Sequence, residues 1–223
     1  MQAASTKTEA GNRLQIIYQR LFDHYGQLHW WPAEEPFEVM VGAILTQSAA
    51  WTNVQKAIAN LKSNGVMSPQ QIRSIPVEAL SRLVYPSGYY NAKARKLKAL
   101  ALYLGERYDD SLSALFARDT YELREELLGV HGIGEETADS ILLYAAGKPI
   151  FVIDAYTRRT FFRLGLCPEK ETYHRLQAMF MDNLPRVPQL FNDYHALLVQ
   201  HGKEFCRKRP LCSECPIRDA CDY

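Results

Sequence analysis

Leu-Leu-Gly-Val-His-Gly-Ile-Gly-Glu-Glu-Thr-Ala-Asp-Ser-Ile-Leu-Leu-Tyr-Ala-Ala, residues 127–146, carries two signals at once. Gly129, Gly132 and Gly134 lie close together. Glycine lacks a Cβ, so it lets backbone turn sharply and come close to another molecule. A hairpin loop is therefore expected there. After it, Ala138, Ile141, Leu142 and Ala145 recur at the spacing of one apolar helix face, on a helix starting near Glu135. Tyr121 to Leu128 also reads as helical, so the unit is helix, glycine hairpin, helix. The amides of Val130 to Gly134, at a helix N-terminus, form a place for an anion such as a DNA phosphate.

Working outward, 223 residues suffice for one large domain or two small ones. A hydrophobic share of 47% is ordinary for a soluble globular protein. The net charge of +1 says nothing decisive about nucleic acid, so any DNA-binding charge must be local. Lys93, Arg95, Lys96 and Lys98 form one such patch, with a solvated basic face as the alternative. The chain shows no apolar run of transmembrane length, and Met1 to Arg13 lacks a signal-peptide core. An intracellular protein is expected, cytoplasmic and nucleoid-associated if prokaryotic, away from membranes and acting as a monomer.

Met1 to Arg13 is polar and expected to fray. Leu14, Ile17, Tyr18, Leu21, Phe22 and Tyr25 mark an amphipathic helix. Leu28-His29-Trp30-Trp31-Pro32 follows, ending in a proline that cannot sit in a helix interior. Taken alone it is a hydrophobic loop packed under the next helix. That helix carries Phe37, Met40, Val41, Ile44 and Leu45 on one face and ends near Thr46-Gln47-Ser48. Pro86, Ser87 and Gly88 break a preceding helix, and Asn91 is the expected N-cap of the next. Ala99 to Arg118 is helical with a turn at Asp109-Asp110-Ser111. Tyr156 to Leu164, Tyr173 to Leu184, and a helix marked by Leu190, Phe191, Tyr194, Leu197 and Leu198 complete the chain. Cys167, in a connection, reads as a small buried hydrophobe. With no sustained period-two alternation, an all-α fold follows.

Leu-x-Gly-Val-x-Gly-Ile-Gly-x-x-Thr-Ala, then the apolar run Ile150 to Ile153 and Asp154, resembles the helix-hairpin-helix and trailing aspartate of the endonuclease III superfamily of DNA glycosylases. Gly88-Tyr89-Tyr90-Asn91-Ala92-Lys93-Ala94 resembles another segment of that family. The likeness runs from Leu14 onward and implies two helical domains. These are a six-helix barrel over 30–147, and a second domain of 1–29 and 148–223 with an iron-sulfur loop. Double-stranded DNA containing a damaged base is the implied partner, entering between the domains.

Trp30-Trp31-Pro32 resembles the 3-methyladenine DNA glycosylase III branch, where these residues wall the base pocket. The same likeness implies that Trp51 faces the flipped base and that Gln47 fills the gap it leaves in the duplex. Lys203 matches a pocket-side lysine of that branch. By the same likeness Asn91, Lys93, Gly132 and Gly134 serve DNA binding. Each has a plainer alternative: core for Trp51, a solvated helix end for Gln47, surface for Lys203.

Asp154 suits the chemistry, because breaking a bond from C1' to a base passes through an oxocarbenium-like state that a nearby carboxylate stabilises. It can also be an N-cap, and the two roles are compatible. Bifunctional relatives use a lysine in the second hairpin helix to form a Schiff base, and Glu136 occupies that position here. The resemblance thus implies a monofunctional enzyme. Adenine-mismatch members carry a second carboxylate before the glutamine, and Gly42-Ala43-Ile44 supplies none. Alkylated purines such as 3-methyladenine, positively charged and held by aromatic faces, are the implied substrates. Glu136 can accept a hydrogen bond from the flipped base, or be a first-turn acid favoured by the helix dipole.

Cys206, Cys212, Cys215 and Cys221 are spaced C-x5-C-x2-C-x5-C. Four thiolates in a short loop can hold a tetrahedral zinc or a cubic iron-sulfur cluster. Zinc modules usually show two close pairs, and here only Cys212 and Cys215 are close. The resemblance implies a [4Fe-4S] cluster after His201-Gly202-Lys203, with a first gap one residue shorter than the family's usual one. Arg207, Lys208, Arg209 and Arg218 place basic charge on that loop. Alternatives to alkylpurine excision are action on oxidised pyrimidines or mismatched thymine and uracil, or a non-catalytic iron-sulfur DNA-binding protein.

Overall fold

The computed structural model of the protein describes residues 2–28 and 30–223; Met1 and His29, which fall in two of the stretches above, lie outside them. The described chain is helical with no strand. In order, the α-helices are α1 (Gln2–Tyr25), α2 (Pro36–Leu45), α3 (Trp51–Ser63), α4 (Pro69–Ser74), α5 (Val77–Leu83) and α6 (Tyr90–Tyr108). They continue as α7 (Leu112–Phe116), α8 (Thr120–Leu128), α9 (Glu135–Ser140), α10 (Ala155–Arg163), α11 (Tyr173–Asn183) and α12 (Pro188–Glu204). None is long and apolar enough to cross a membrane. The expected fraying of residues 2–13 is replaced by helix, since α1 starts at Gln2. At Gly11 this helix packs closely on Asn183, where an added Cβ would stand 3.1 Å from the carbonyl oxygen.

The chain divides into two compact units, one of Trp31–Lys148 and one of Met1–Trp30 with Pro149–Tyr223. In the first, α2 is the central element: every residue from Phe37 to Leu45 is buried. A helix apolar nearly all round belongs in a core, and its one charge, Glu38, is paired with Lys62 at 2.8 Å. It packs on α3, α6, α9 and the π turn of Ile141–Ala145 that prolongs α9. That wider turn shifts the face expected from the sequence. Leu143 is buried, whereas Ala145 is partly exposed.

In the second unit α1 packs on α11 and α12, and α10 on α12. The Phe151 and Phe180 rings stack at 3.7 Å, with Phe191 and Tyr194 set edge-on to Phe151. The Tyr194 hydroxyl is fully buried and donates to the Leu14 carbonyl at 2.9 Å. A polar tip buried among rings is tolerated only with such a partner.

Candidate active site

Between α8 and α9 the chain makes the expected hairpin, and only one of its three glycines needs to be glycine. Gly132 has φ of 84°, and a Cβ there would collide with the stem of Lys96. Gly129 is in the right-handed helical region, and Gly134 is extended with open space beside it. Gln47, in the turn after α2, is fastened to this hairpin. Its Nε2 donates to the Gly132 carbonyl and the Thr137 hydroxyl, each at 3.0 Å. Its Oε1 accepts from Lys96 Nζ at 2.5 Å.

Trp31, in the left-handed region at φ 65°, lays its indole over Gly42 of α2, where a Cβ would come within 3.1 Å of the ring. Its ring stacks on Tyr144 at 5.0 Å and meets the Trp51 ring edge-on at 5.7 Å. Trp31, Trp51 and Tyr144 are all half-buried, so this aromatic group is neither core nor bare surface. Pro32 is exposed, and so is Glu136 in the first turn of α9.

In the other unit, Ile150 to Ile153 is buried and lies outside any helix. Side chains satisfy its backbone: Gln177 donates to the Phe151 carbonyl at 2.7 Å and the Tyr173 hydroxyl accepts from Ile153 N–H at 3.3 Å. The run ends at Asp154, the N-cap of α10, whose Oδ1 accepts from Thr157 N–H at 2.7 Å. Capping leaves Oδ2 facing His195 Nε2 at 3.8 Å. Burial pushes the His195 pKa down; the Asp154 carboxylate raises it and Lys203 lowers it. Partial burial likewise lowers the Lys203 pKa against the pull of Asp154. The Lys203 ammonium lies 5.1 Å from the Trp30 ring centroid, a cation-π contact.

The four loop cysteines line one small cavity of about 20 Å³ with His201 and Arg163. Among the described residues, no three His, Cys, Asp or Glu side chains gather tightly enough to hold one metal ion. A zinc ion draws its sulfurs to ~2.3 Å. Four thiols on one short loop are the donor set that either a tetrahedral ion or an iron-sulfur cluster would use. Arg163 Nη1 donates to Cys206 Sγ at 3.3 Å, and the Cys221 thiol donates to the Arg163 carbonyl at 3.3 Å. Arg159 braces the same loop through the Cys206 carbonyl at 2.6 Å and the Gly202 carbonyl at 2.9 Å.

The profile of the HhH-GPD superfamily base excision DNA repair proteins matches residues 41–186. The chain belongs to that superfamily. A Methanocaldococcus jannaschii protein assigned to the DNA repair glycosylases is 47% identical over 206 residues, 92% of this chain and 94% of its own. The H. pylori 3-methyladenine DNA glycosylase bound to 1,N6-ethenoadenine is 29% identical with a TM-score of 0.74, covering 88% of this chain and 97% of that one. A non-covalent endonuclease III-DNA complex shares the fold at a TM-score of 0.83 and 22% identity, over 95% of both chains. The activity class is thus that of a DNA glycosylase of base excision repair, and its partner is DNA.

Within this HhH-GPD chain some sequence expectations need correction. Lys93 is no phosphate contact: it is 1% exposed, and its ammonium donates to the carbonyls of Leu45 at 2.9 Å and Ser87 at 2.6 Å. Lys98 spends its charge on the carbonyls of Arg73 and Ile75 at the end of α4. Asn91 does not cap α6, which starts one residue earlier behind Tyr89. Of the basic patch, Arg95 alone is exposed.

Other features had no clear signal in the sequence. Tyr89 is 75% exposed at φ 45°, a large ring held outward in a strained backbone region. An aromatic directly after a helix-breaking Pro86-Ser87-Gly88 was the available hint. His195 and Tyr144 reach their partners only through the fold.

Proposed function

We propose that the chain is a monofunctional DNA glycosylase that releases alkylated purines such as 3-methyladenine from double-stranded DNA. The half-exposed group of Trp31, Trp51 and Tyr144 carries this reading. A positively charged base is attracted to indole faces by about 2 kcal/mol or more when desolvated, and it leaves without strong acid catalysis. The likeness to an H. pylori glycosylase seen with an etheno-modified adenine supports the same substrate class.

In this reading Asp154 is the catalytic carboxylate. The N–C1' bond breaks with its electron pair leaving on the base, Asp154 stabilises the sugar cation, and water adds at C1' with its proton passing to the Asp154 carboxylate. Thr157 N–H holds one carboxylate oxygen and so sets where the other points. Trp30, Trp31, Pro32, Trp51, Glu136 and Lys203 serve the base, while Gln47 and Asn91 serve the duplex. Gly132 and Gly134 keep the hairpin open to a phosphate, and Tyr89 joins them as a ring for stacking on bases. Duplexes carrying single lesions test the reading: abasic sites should form at alkylated purines. Release of thymine, uracil or oxidised pyrimidines with none from alkylated purines would refute it.

Lyase chemistry needs an amine, and position 136 holds a carboxylate. Borohydride is expected to trap no covalent adduct with DNA. A trapped adduct would place a Schiff base on some other lysine.

We further propose that Cys206, Cys212, Cys215 and Cys221 hold a [4Fe-4S] cluster. The gathering of all four thiols around one pocket beside His201 supports this. Bound there, the cluster would supply redox-active iron. The chain's own contribution is to brace exposed Arg207, Lys208 and Arg209 beside it through Arg159 and Arg163. Purified protein should contain about four irons with matching sulfide per chain. One zinc per chain and no sulfide would overturn it.

A further inference from the structure

Three separate segments meet at one amide. Gln47 leaves the end of α2, Lys96 comes from α6, and Gly132 with Thr137 comes from the hairpin and α9. A primary amide offers two N–H donors and one oxygen acceptor. Here the donors go to Gly132 O and Thr137 Oγ1, and the oxygen takes an ammonium. The chemistry dictates the orientation, since an ammonium accepts nothing and a backbone carbonyl donates nothing. The Lys96 stem meanwhile packs where a side chain at Gly132 would stand. One lysine therefore touches both the hairpin backbone and the glutamine fastened to it.

We infer that Lys96 is a positioning residue for Gln47. It fixes the carboxamide and joins it to the hairpin before DNA arrives, so a phosphate held at the hairpin and the residue set against the duplex move as one piece. The cost of ordering a glutamine side chain is then met in the free protein and not during base extrusion. This rests on the reading of Gln47 as the residue that faces the gap left by the extruded nucleotide. It differs from a phosphate-contact role for Lys96, because the ammonium is already committed to the amide.

Lys96→Met tests it, keeping the stem over Gly132 and removing the charge. With the full chain and a duplex carrying a fluorescent base analogue beside a lesion, extrusion should fall about tenfold, the change expected from freeing one long side chain. DNA affinity should stay nearly unchanged. Lys96→Arg should restore extrusion, and Thr137→Val should impair it. In nuclear magnetic resonance spectra the Gln47 side-chain amide protons should lose protection from exchange in Lys96→Met, a change that a general loss of stability would not confine to one side chain.

Unchanged extrusion in Lys96→Met, with salt dependence shallower by about one phosphate, would make Lys96 a plain phosphate contact and overturn the inference. Increased extrusion would overturn it too, by showing that the clasp restrains Gln47. Gln47→Ala separates the two layers. Normal extrusion there removes the reading of Gln47 itself; impaired extrusion beside a normal Lys96→Met removes only the role of Lys96.

Discussion

Arg124 in α8 grips Asp139 in α9 through two parallel hydrogen bonds, Nε to Oδ1 at 2.7 Å and Nη2 to Oδ2 at 3.2 Å. Asp139 is wholly buried and Arg124 is 7% exposed, so the pair ties the two helices of the hairpin unit together out of water. Glu135 adds a second, longer contact to the same guanidinium at 3.8 Å.

Removing Asp139 takes the close carboxylate away from a guanidinium held in a low-dielectric setting. Asp139→Ala should therefore lower the unfolding free energy by about 3–5 kcal/mol in denaturant titrations. The double replacement Arg124→Met with Asp139→Leu should recover much of that loss, because it removes both desolvation costs. A loss under about 1 kcal/mol for the single variant would show that the pair is not isolated from solvent.

The glycines of the hairpin should separate in the same assay. Gly132→Ala forces a Cβ into the left-handed region and against Lys96, and should cost more than about 1 kcal/mol. Gly134→Ala has φ of −100° and open space, and its stability should stay within about 0.5 kcal/mol of the parent. Equal costs at both positions would contradict the geometry.

Asp154 should show its two roles separately. Asparagine can still accept from Thr157 N–H, so Asp154→Asn should unfold much like the parent while single-turnover base release is lost. Asp154→Ala should lose release and also about 1 kcal/mol of stability with the cap. DNA affinity should survive in both. Base release at the parental rate by Asp154→Asn would remove this residue from the chemistry.

Lys93 gives a pH dependence of known sign. Burial, aided by the charge of Lys96, pulls its pKa down to about 8, against roughly 10.4 for the unfolded chain. Between those values the unfolded chain holds a proton that the folded one has released, so stability rises with pH across that window. Below about 8 both states are protonated and the cost of burying the ammonium is felt in full. The unfolding free energy of the parent minus that of Lys93→Met should climb from pH 8 to pH 10.5, by up to about 3 kcal/mol. A flat difference would mean that the amine keeps its proton in place.

Much of the fold was legible because helices are local objects. Periodicity predicted α2 with an end near Thr46-Gln47-Ser48, one to three residues beyond the observed end at Leu45, and placed the start of α9 near Glu135, where it lies. The cap at Asp154 followed from an apolar run meeting a helix, and the structure shows the bond to Thr157 N–H. Asn91 misled because an asparagine before a helical pattern reads as a cap, while the glycine and left-handed Tyr89 ahead of it had already turned the chain. The π turn of Ile141–Ala145, which packs on α2, had no signal in the apolar spacing, which reads as continuous α-helix.

By itself, the sequence determined the all-α class, the glycine hairpin, the capping aspartate and the family, since each is written in spacings over a few turns of chain, whereas which glycine is required came from the fold. Tertiary structure alone decided which charges are spent inside the protein. Lys93 is claimed by a carbonyl 48 positions away, Lys96 by an amide 49 positions away, and Asp154 faces a histidine from α12. The physical reason is that a buried polar group must find a partner or lose several kcal/mol, and which partner arrives is set by packing between helices far apart in the chain.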